Sequence, residues 1–251
     1  LLARATILRP RPWVNGCAHA SLMLKRILYM PEWNTPEREA LRKAVTQFTT
    51  DRIVPHMAEW EDAGQLPREL HRDTAKAGFL GIGWSEDIGG DGGSMLDTSI
   101  VTETIIQAGG SSGLLASLFT HGISLPHIID SGNQDLIDRY VRPTLAGEMI
   151  GSLAITEPGG GSDVAGITTR AVRDGDHYVI NGSKTFITSG VRADFVTTAV
   201  RTGEPGHGGI SLIVIDKNTP GFTVGRSLQK MGWHCSDTAE LSFDNVRVPA
   251  A

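Results

Sequence analysis

At 251 residues and 40% hydrophobic, the chain has the material for a sizeable core, in one large domain or two smaller ones. Its formal charge of -5, without a long basic run, argues against nucleic acid as the main partner, because phosphate contacts need clustered Lys and Arg. The two cysteines, Cys17 and Cys235, lack CxxC spacing and point to neither a disulfide framework nor a structural zinc site; apolar runs such as LFTHGISLPHII break well short of the roughly 20 residues a spanning helix needs.

Residues 1–30 carry Arg4, Arg9, Arg11, Lys25 and Arg26 and no acidic residue. That bias is that of an organelle transit segment, or of an untrimmed leader with Met23 or Met30 as the true start. The expected compartment is the cytoplasm, or the mitochondrial matrix if the leader is a transit peptide. Residues 31–147 are punctuated as helices. Thr35 caps and Pro36 suits a first helical position, followed by Leu41, Ala44, Val45 and Phe48 at the spacing of one buried face. A second helix opens at Pro67, carries Leu70 inward and ends at Gly78. GFLGIGWSEDIGGDGGS is too glycine-rich for a regular element and reads as a loop. Ser94 then caps a helix with Leu96, Ile100, Val101, Thr104 and Ile105 on one face. Another helix follows the break at Gly109–Gly113, and Asn133 caps a last one that Pro143 disturbs.

Residues 148–251 change period. RAVRDGDHYVINGSKTFITSG contains two turn dipeptides, Asp174-Gly175 and Asn181-Gly182, between short β-rich runs, so it reads as a meander of tight hairpins. DFVTTAVRT, GISLIVIDK, GFTVG and AELSFDNVRVP add further strands. The expected fold is α+β, an all-α N-terminal bundle followed by an antiparallel barrel or sandwich.

Two stretches carry candidate chemistry. Gly109-Gly110-Ser111-Ser112-Gly113 matches GxSxG, with His121, His127 and Asp130 downstream, and offers a serine hydrolase built on Ser111. A nucleophile elbow needs a strand before the serine, whereas VTETIIQA reads as a helix, so a glycine break between helices is preferred. In LAITEPGGGSDVAG, three glycines between Pro158 and Ser162 give up backbone entropy for a tight turn or a close ligand. Their amides can form an anion-holding nest beside the Ser162 hydroxyl, while the spacing is not that of GxGxxG.

AITEPGGGSDVAG resembles the signature of the acyl-CoA dehydrogenase family, and INGSKTFITSG resembles its second flavin-contacting strand. GNQDLIDRYVRPTLAGE is similar to the helix and loop before the β domain, and LQKMGWHCSDTAELSFDNVRVP to the closing strands, so the likeness runs from Pro36 to Pro249. It implies an N-terminal helical domain, a central β domain and a C-terminal helical domain, the last absent from this chain. It further implies FAD, with Leu153, Ala154, Ile155 and Thr156 along the flavin edge. Ser162 would serve both the cofactor pyrophosphate and the CoA of the substrate. Phe186, Ile187 and Thr188 would cover the rest of the ring system, Thr188 near flavin N5; many members carry Trp at the position of Phe186. The implied reaction is α,β-dehydrogenation of an acyl-CoA thioester, with electrons passed to an electron-transferring flavoprotein by a homotetramer. The family's catalytic glutamate belongs to the absent domain, so no catalytic residue is assigned and the chain alone is expected to be inactive; the alternatives are the Ser111 hydrolase and a non-catalytic module that holds acyl-CoA or flavin. Glu157 is read as a structural or flavin-edge residue rather than the base, and Glu103 as a bundle-packing or salt-bridge residue.

Overall fold

A computed structural model describes residues 31–250. The leader expected over residues 1–30 lies outside the described residues. The chain divides into two compact units, Leu1–Leu41 and Arg42–Ala251. In the described part of the first, Thr35 starts the helix Pro36–Phe48: its hydroxyl accepts from the Arg38 amide at 3.3 Å.

The second unit begins with the rest of that helix. Of the expected inward face, Val45 is fully buried and Phe48 meets Phe79 edge-on at 5.5 Å, whereas Ala44 is exposed. The chain then widens into a π-helical turn at Thr49–Ile53 and tightens over Val54–His56, where Pro55 cannot donate, before the helix Met57–Ala63. Helices Arg68–Lys76 and Met95–Gln107 start where expected. Ser94 and Asp97 close a reciprocal capping box, in which each side chain accepts from the other's backbone amide. The last helical stretch departs from expectation. Asn133 caps it, accepting from the Leu136 amide at 3.2 Å, but the disturbance precedes Pro143 as a π-helical turn at Ile137–Val141, and Arg142–Leu145 resumes the α-helix.

Seven strands follow: β1 Gly151–Ala154, β2 Arg170–Asp174, β3 His177–Thr188, β4 Phe195–Arg201, β5 Ile210–Asp216, β6 Phe222–Ser227 and β7 Thr238–Pro249. They form one curled sheet in the order β1-β4-β2-β3-β7-β6, with β5 on β4. The sheet is mostly antiparallel, but β1 runs parallel to β4 from Gly151↔Phe195 to Ala154↔Thr198, and β2 meets β4 in parallel at Arg170↔Arg201. The fold is therefore α+β with a mixed sheet. Asp174-Gly175 forms the expected tight turn between β2 and β3, with Gly175 at φ 64°. Asn181-Gly182 does not turn. It lies inside β3, at a register shift where Asn245 of β7 is the extra residue. Gly182 is required there by close approach: a Cβ would lie 2.7 Å from Thr169 Cα, and φ is 147°.

Two core clusters position the sheet, beside the helical core that holds Ile53, Leu80, Ile100, Ile105 and Leu118. One fills the curl of the sheet with Ile180, Ile187, Val196, Val200, Ile215, Leu241 and Val246. The other joins helices to sheet: Phe195 of β4 stands among Leu125, Ile128, Tyr140, Val141 and Leu145, its ring 4.8 Å from that of Tyr140. β4 is covered on both faces, which is why FVTTAV is buried without a break. Each large side chain so enclosed stabilises by roughly 1.5–3 kcal/mol. Together they hold the end of β1 against β3.

Candidate flavin-edge site

β1 ends at Ala154, and the chain crosses from β4 toward β3. Three hydrogen bonds fasten that crossing: Ser152 Oγ donates to Thr188 O at 2.6 Å, Lys184 Nζ to Ile155 O at 2.8 Å, and Thr185 N to Thr156 O at 2.9 Å. The two motif segments, Leu153–Ser162 and Phe186–Thr188, therefore lie side by side, and the rim they form is the mouth.

The glycine loop leaves this mouth through a tight turn in which Glu157 and Gly160 exchange backbone hydrogen bonds at 3.0 and 3.1 Å. Beyond it the amides of Gly161, Ser162 and Asp163 donate to no protein acceptor among the described residues, and all three residues are exposed. The hydroxyls of Thr156, Ser162 and Thr188 likewise have no partner in the described protein, although Thr156 and Thr188 are half-buried. Successive unspent amides beside a free hydroxyl can donate to an anion such as a phosphate.

Across the mouth, β3 carries a bulge between Lys184 and Ile187. Phe186 sits in it at φ 59°, a left-handed conformation that disfavours a side chain, and its ring is 66% exposed. A strained bulge that aims an aromatic ring outward is the arrangement expected beside a ligand. Ile187 and Ala154, in contrast, turn their side chains into the sheet core, so that they offer only backbone to the mouth.

Glu157 is not available for proton transfer. Its carboxylate accepts from Thr168 N at 2.8 Å, Thr168 Oγ1 at 2.6 Å, Thr169 N at 2.8 Å and Lys184 Nζ at 2.9 Å. Burial alone would push its pKa up, but the bonds from Thr168, Thr169 and Lys184 outweigh it and hold the group at about 2. Lys184, Thr168 and Thr169 were absent from the candidates read from the sequence. Lys184 had a signal: in β3 it lies four residues after the buried Ile180, on the same face, and a lysine in a core demands a carboxylate.

Ser111 stands elsewhere. It caps the helix Ser112–Leu118, accepting from the Leu114 amide at 3.0 Å, and donates to Glu61 at 3.3 Å, with the Cys235 thiol 3.9 Å away. No imidazole is among its partners, and a helix precedes it, Met95–Gln107, so the nucleophile elbow has neither its base nor its strand. Burial and the hydrogen bond to Glu61 push the Cys235 thiol up to about 12, which leaves it inert.

A helical region leading into a curled mixed sheet, with a glycine loop at one strand end and an aromatic bulge facing it, defines a protein class. Residues 35–148 match the model of the acyl-CoA dehydrogenase N-terminal domain, and residues 152–246 match the acyl-CoA dehydrogenase middle domain. The chain belongs to the acyl-CoA dehydrogenase family. It is 39% identical over 218 residues to the mitochondrial long-chain specific acyl-CoA dehydrogenase of Mus musculus, a match covering 85% of this chain and 50% of that protein. Among solved structures, a "probable acyl CoA dehydrogenase" of Mycobacterium abscessus is 66% identical with a TM-score of 0.86, over 87% of this chain and 58% of the other. A glutaryl-CoA dehydrogenase of Mycobacterium smegmatis in complex with FADH2 is 29% identical with a TM-score of 0.81, over 89% of this chain and 56% of the other. The chain spans about half the length of the curated relatives it matches.

Proposed function

We propose that the chain forms the flavin-facing part of an FAD-dependent acyl-CoA dehydrogenase, which converts an acyl-CoA thioester to the trans-2-enoyl-CoA. The observation that carries this reading is the lacing of Leu153–Thr156 to Lys184–Thr188 in one mouth, where the Thr156, Ser162 and Thr188 hydroxyls remain unspent. Unspent hydroxyls, a free amide run and an exposed aromatic ring fit a planar heteroaromatic group joined to a diphosphate.

FAD, when bound, supplies the two-electron acceptor for the dehydrogenation. The backbone of Leu153, Ala154 and Ile155 and the Thr156 hydroxyl would hold one edge of the ring. Phe186 would shield a ring face from water, and Thr188 with the Ile187 backbone would hold the opposite edge. Ser162 and the neighbouring amides would take the cofactor pyrophosphate and the CoA moiety of the substrate. None of the mouth residues is assigned as the base: a carboxylate held at about 2, with its oxygens engaged, is too weak to take an α-proton, which excludes Glu157. Acyl-CoA as substrate, an electron-transferring flavoprotein as acceptor and a homotetrameric assembly complete the proposal. Among the described residues no helix is long and apolar enough to cross a membrane; the compartment proposed is the cytoplasm or the mitochondrial matrix.

The test is a titration of the full-length protein with FAD, followed by anaerobic addition of acyl-CoA thioesters. Uptake of the flavin and substrate-dependent loss of oxidised-flavin absorbance are expected. Failure to take up FAD, or a bound flavin indifferent to every acyl-CoA, would overturn the reading.

A further inference from the structure

Lys184 has no exposed surface and Glu157 is 7% exposed, so neither charge serves solubility. The pair sits where three segments meet. Lys184 of β3 reaches both the Glu157 carboxylate and the Ile155 carbonyl at the end of β1, while the same carboxylate collects the amides of Thr168 and Thr169 on the far side of the glycine loop. Residues 158–167 are thus suspended from a closed polar ring. Two further contacts hold the returning side. Thr169 Oγ1 donates to Ser183 O at 3.2 Å, and the Arg201 guanidinium donates to Ala165 O at 2.6 Å and to Ile167 O at 2.9 Å.

A buried ion pair is weak evidence for stability, because hydrocarbons of similar volume often serve as well; what it adds is fixed geometry. It also sets charge. With Lys184 in place the base of the loop is neutral, and without it a buried carboxylate would face whatever anion the loop amides received.

We propose that the Lys184–Glu157 pair is a positioning device for the glycine loop, holding the amides of Gly161 to Asp163 and the Ser162 hydroxyl in the shape and neutral field that receive a flavin diphosphate. The inference rests on the flavin reading above.

The test compares the full-length protein with two variants, Lys184→Met and the double variant Lys184→Met/Glu157→Gln. FAD affinity is followed by quenching of flavin fluorescence, the environment of the ring by its visible spectrum, and the loop by hydrogen exchange at Thr168 and Thr169. Lys184→Met leaves a carboxylate buried without its cation and is expected to bind FAD worst, or not to fold. The double variant carries no unpaired charge, so it keeps the parental circular dichroism. It is expected to exchange faster at Thr168 and Thr169, with FAD bound on the order of 10-fold more weakly and with a shifted flavin spectrum. A folded double variant with parental FAD affinity and spectrum overturns the proposal even if exchange is faster, since the pair would then be structural only. A parent protein that binds no FAD overturns the flavin reading itself, which separates the two failures.

Discussion

Two buried ion pairs mark two kinds of place in this molecule. At the seam between helices and sheet, Arg192 and Asp237 are engaged at every polar side-chain atom of their own. The guanidinium donates to Asp237 Oδ1 and Leu66 O, both at 2.8 Å, and to Ser117 Oγ at 2.5 Å, while Asp237 Oδ2 takes the Val191 amide at 2.8 Å. At the glycine-loop mouth, Lys184 and Glu157 are as deeply paired, yet Thr156, Ser162 and Thr188 beside them keep their hydroxyls free. A saturated network joins parts of a fold; an unsaturated rim over a saturated base is what a ligand can complete.

The sharpest way to break the comparison is Arg192→Met. It strands the Asp237 carboxylate at 4% exposure and frees Leu66 O and Ser117 Oγ at once. Loss of one partner of such a pair destabilises by about 3–5 kcal/mol. Urea denaturation of the full-length protein should register a loss of that size, with FAD affinity per folded molecule unchanged. A variant that keeps its stability but loses flavin affinity would mean that the seam, not the mouth, serves the ligand.

Acidification should separate the two regions by pH. His71 and His121 are buried at the seam. Burial, with Arg192, His121 and Arg68 nearby, depresses the pKa of His71 to about 3; burial depresses that of His121 to about 4, against an ordinary 6.5. Both stay neutral in the fold, and neither ring nitrogen of His71 has a hydrogen-bond partner. As pH falls below 6.5 the unfolded chain takes up protons that the native state refuses. Stability present above that pH is therefore lost progressively toward pH 4 and 3, by roughly 2 kcal/mol per histidine at about pH 5. Glu157, held at about 2 against 4.5, withdraws its contribution only between those two values. The seam should fail first. Urea midpoints between neutrality and pH 5 should fall for the parent and flatten in His71→Gln, whose side chain does not titrate; an unaltered slope in that variant refutes the assignment.

What the sequence disclosed follows the same division between local and distant causes. Caps are local chemistry, so Thr35, Ser94 and Asn133 were legible as helix starts. The π-helical turns at Thr49–Ile53 and Ile137–Val141 were not, because they adjust helix phase to packing that no window reveals. Asn181-Gly182 has the local preference of a hairpin turn, but the ladder of β3 with β7 continues past it, and Gly182 answers to Thr169. The parallel pairing of β1 with β4 likewise joins segments some forty residues apart and leaves no local mark. At the mouth, the resemblance supplied Thr156, Ser162, Phe186 and Thr188, whose side chains are exposed or half-buried, together with Ala154 and Ile187, which turn inward. Of the supports beneath them, Lys184 is marked by its inward place in the strand pattern, whereas Thr168, Thr169 and Arg201 emerge only once strands are paired and that lysine has found its carboxylate.

The finest distinction concerns Phe186, where strain and exposure coincide. A non-glycine residue at φ 59° costs roughly 1–2 kcal/mol, and a ring 66% exposed recovers little of that by packing within the protein. Phe186→Gly removes the strain but gains backbone entropy in the unfolded state, a penalty of about the same size. Stability should thus change by no more than about 1 kcal/mol. If the ring instead recovers its strain from a flavin, its removal should weaken FAD binding by roughly 3- to 10-fold, the worth of one aromatic contact. Thermal denaturation without cofactor and FAD titration of the same preparation decide the matter together. A variant that is much less stable but binds FAD as the parent does would place Phe186 with the seam, as a residue of the fold.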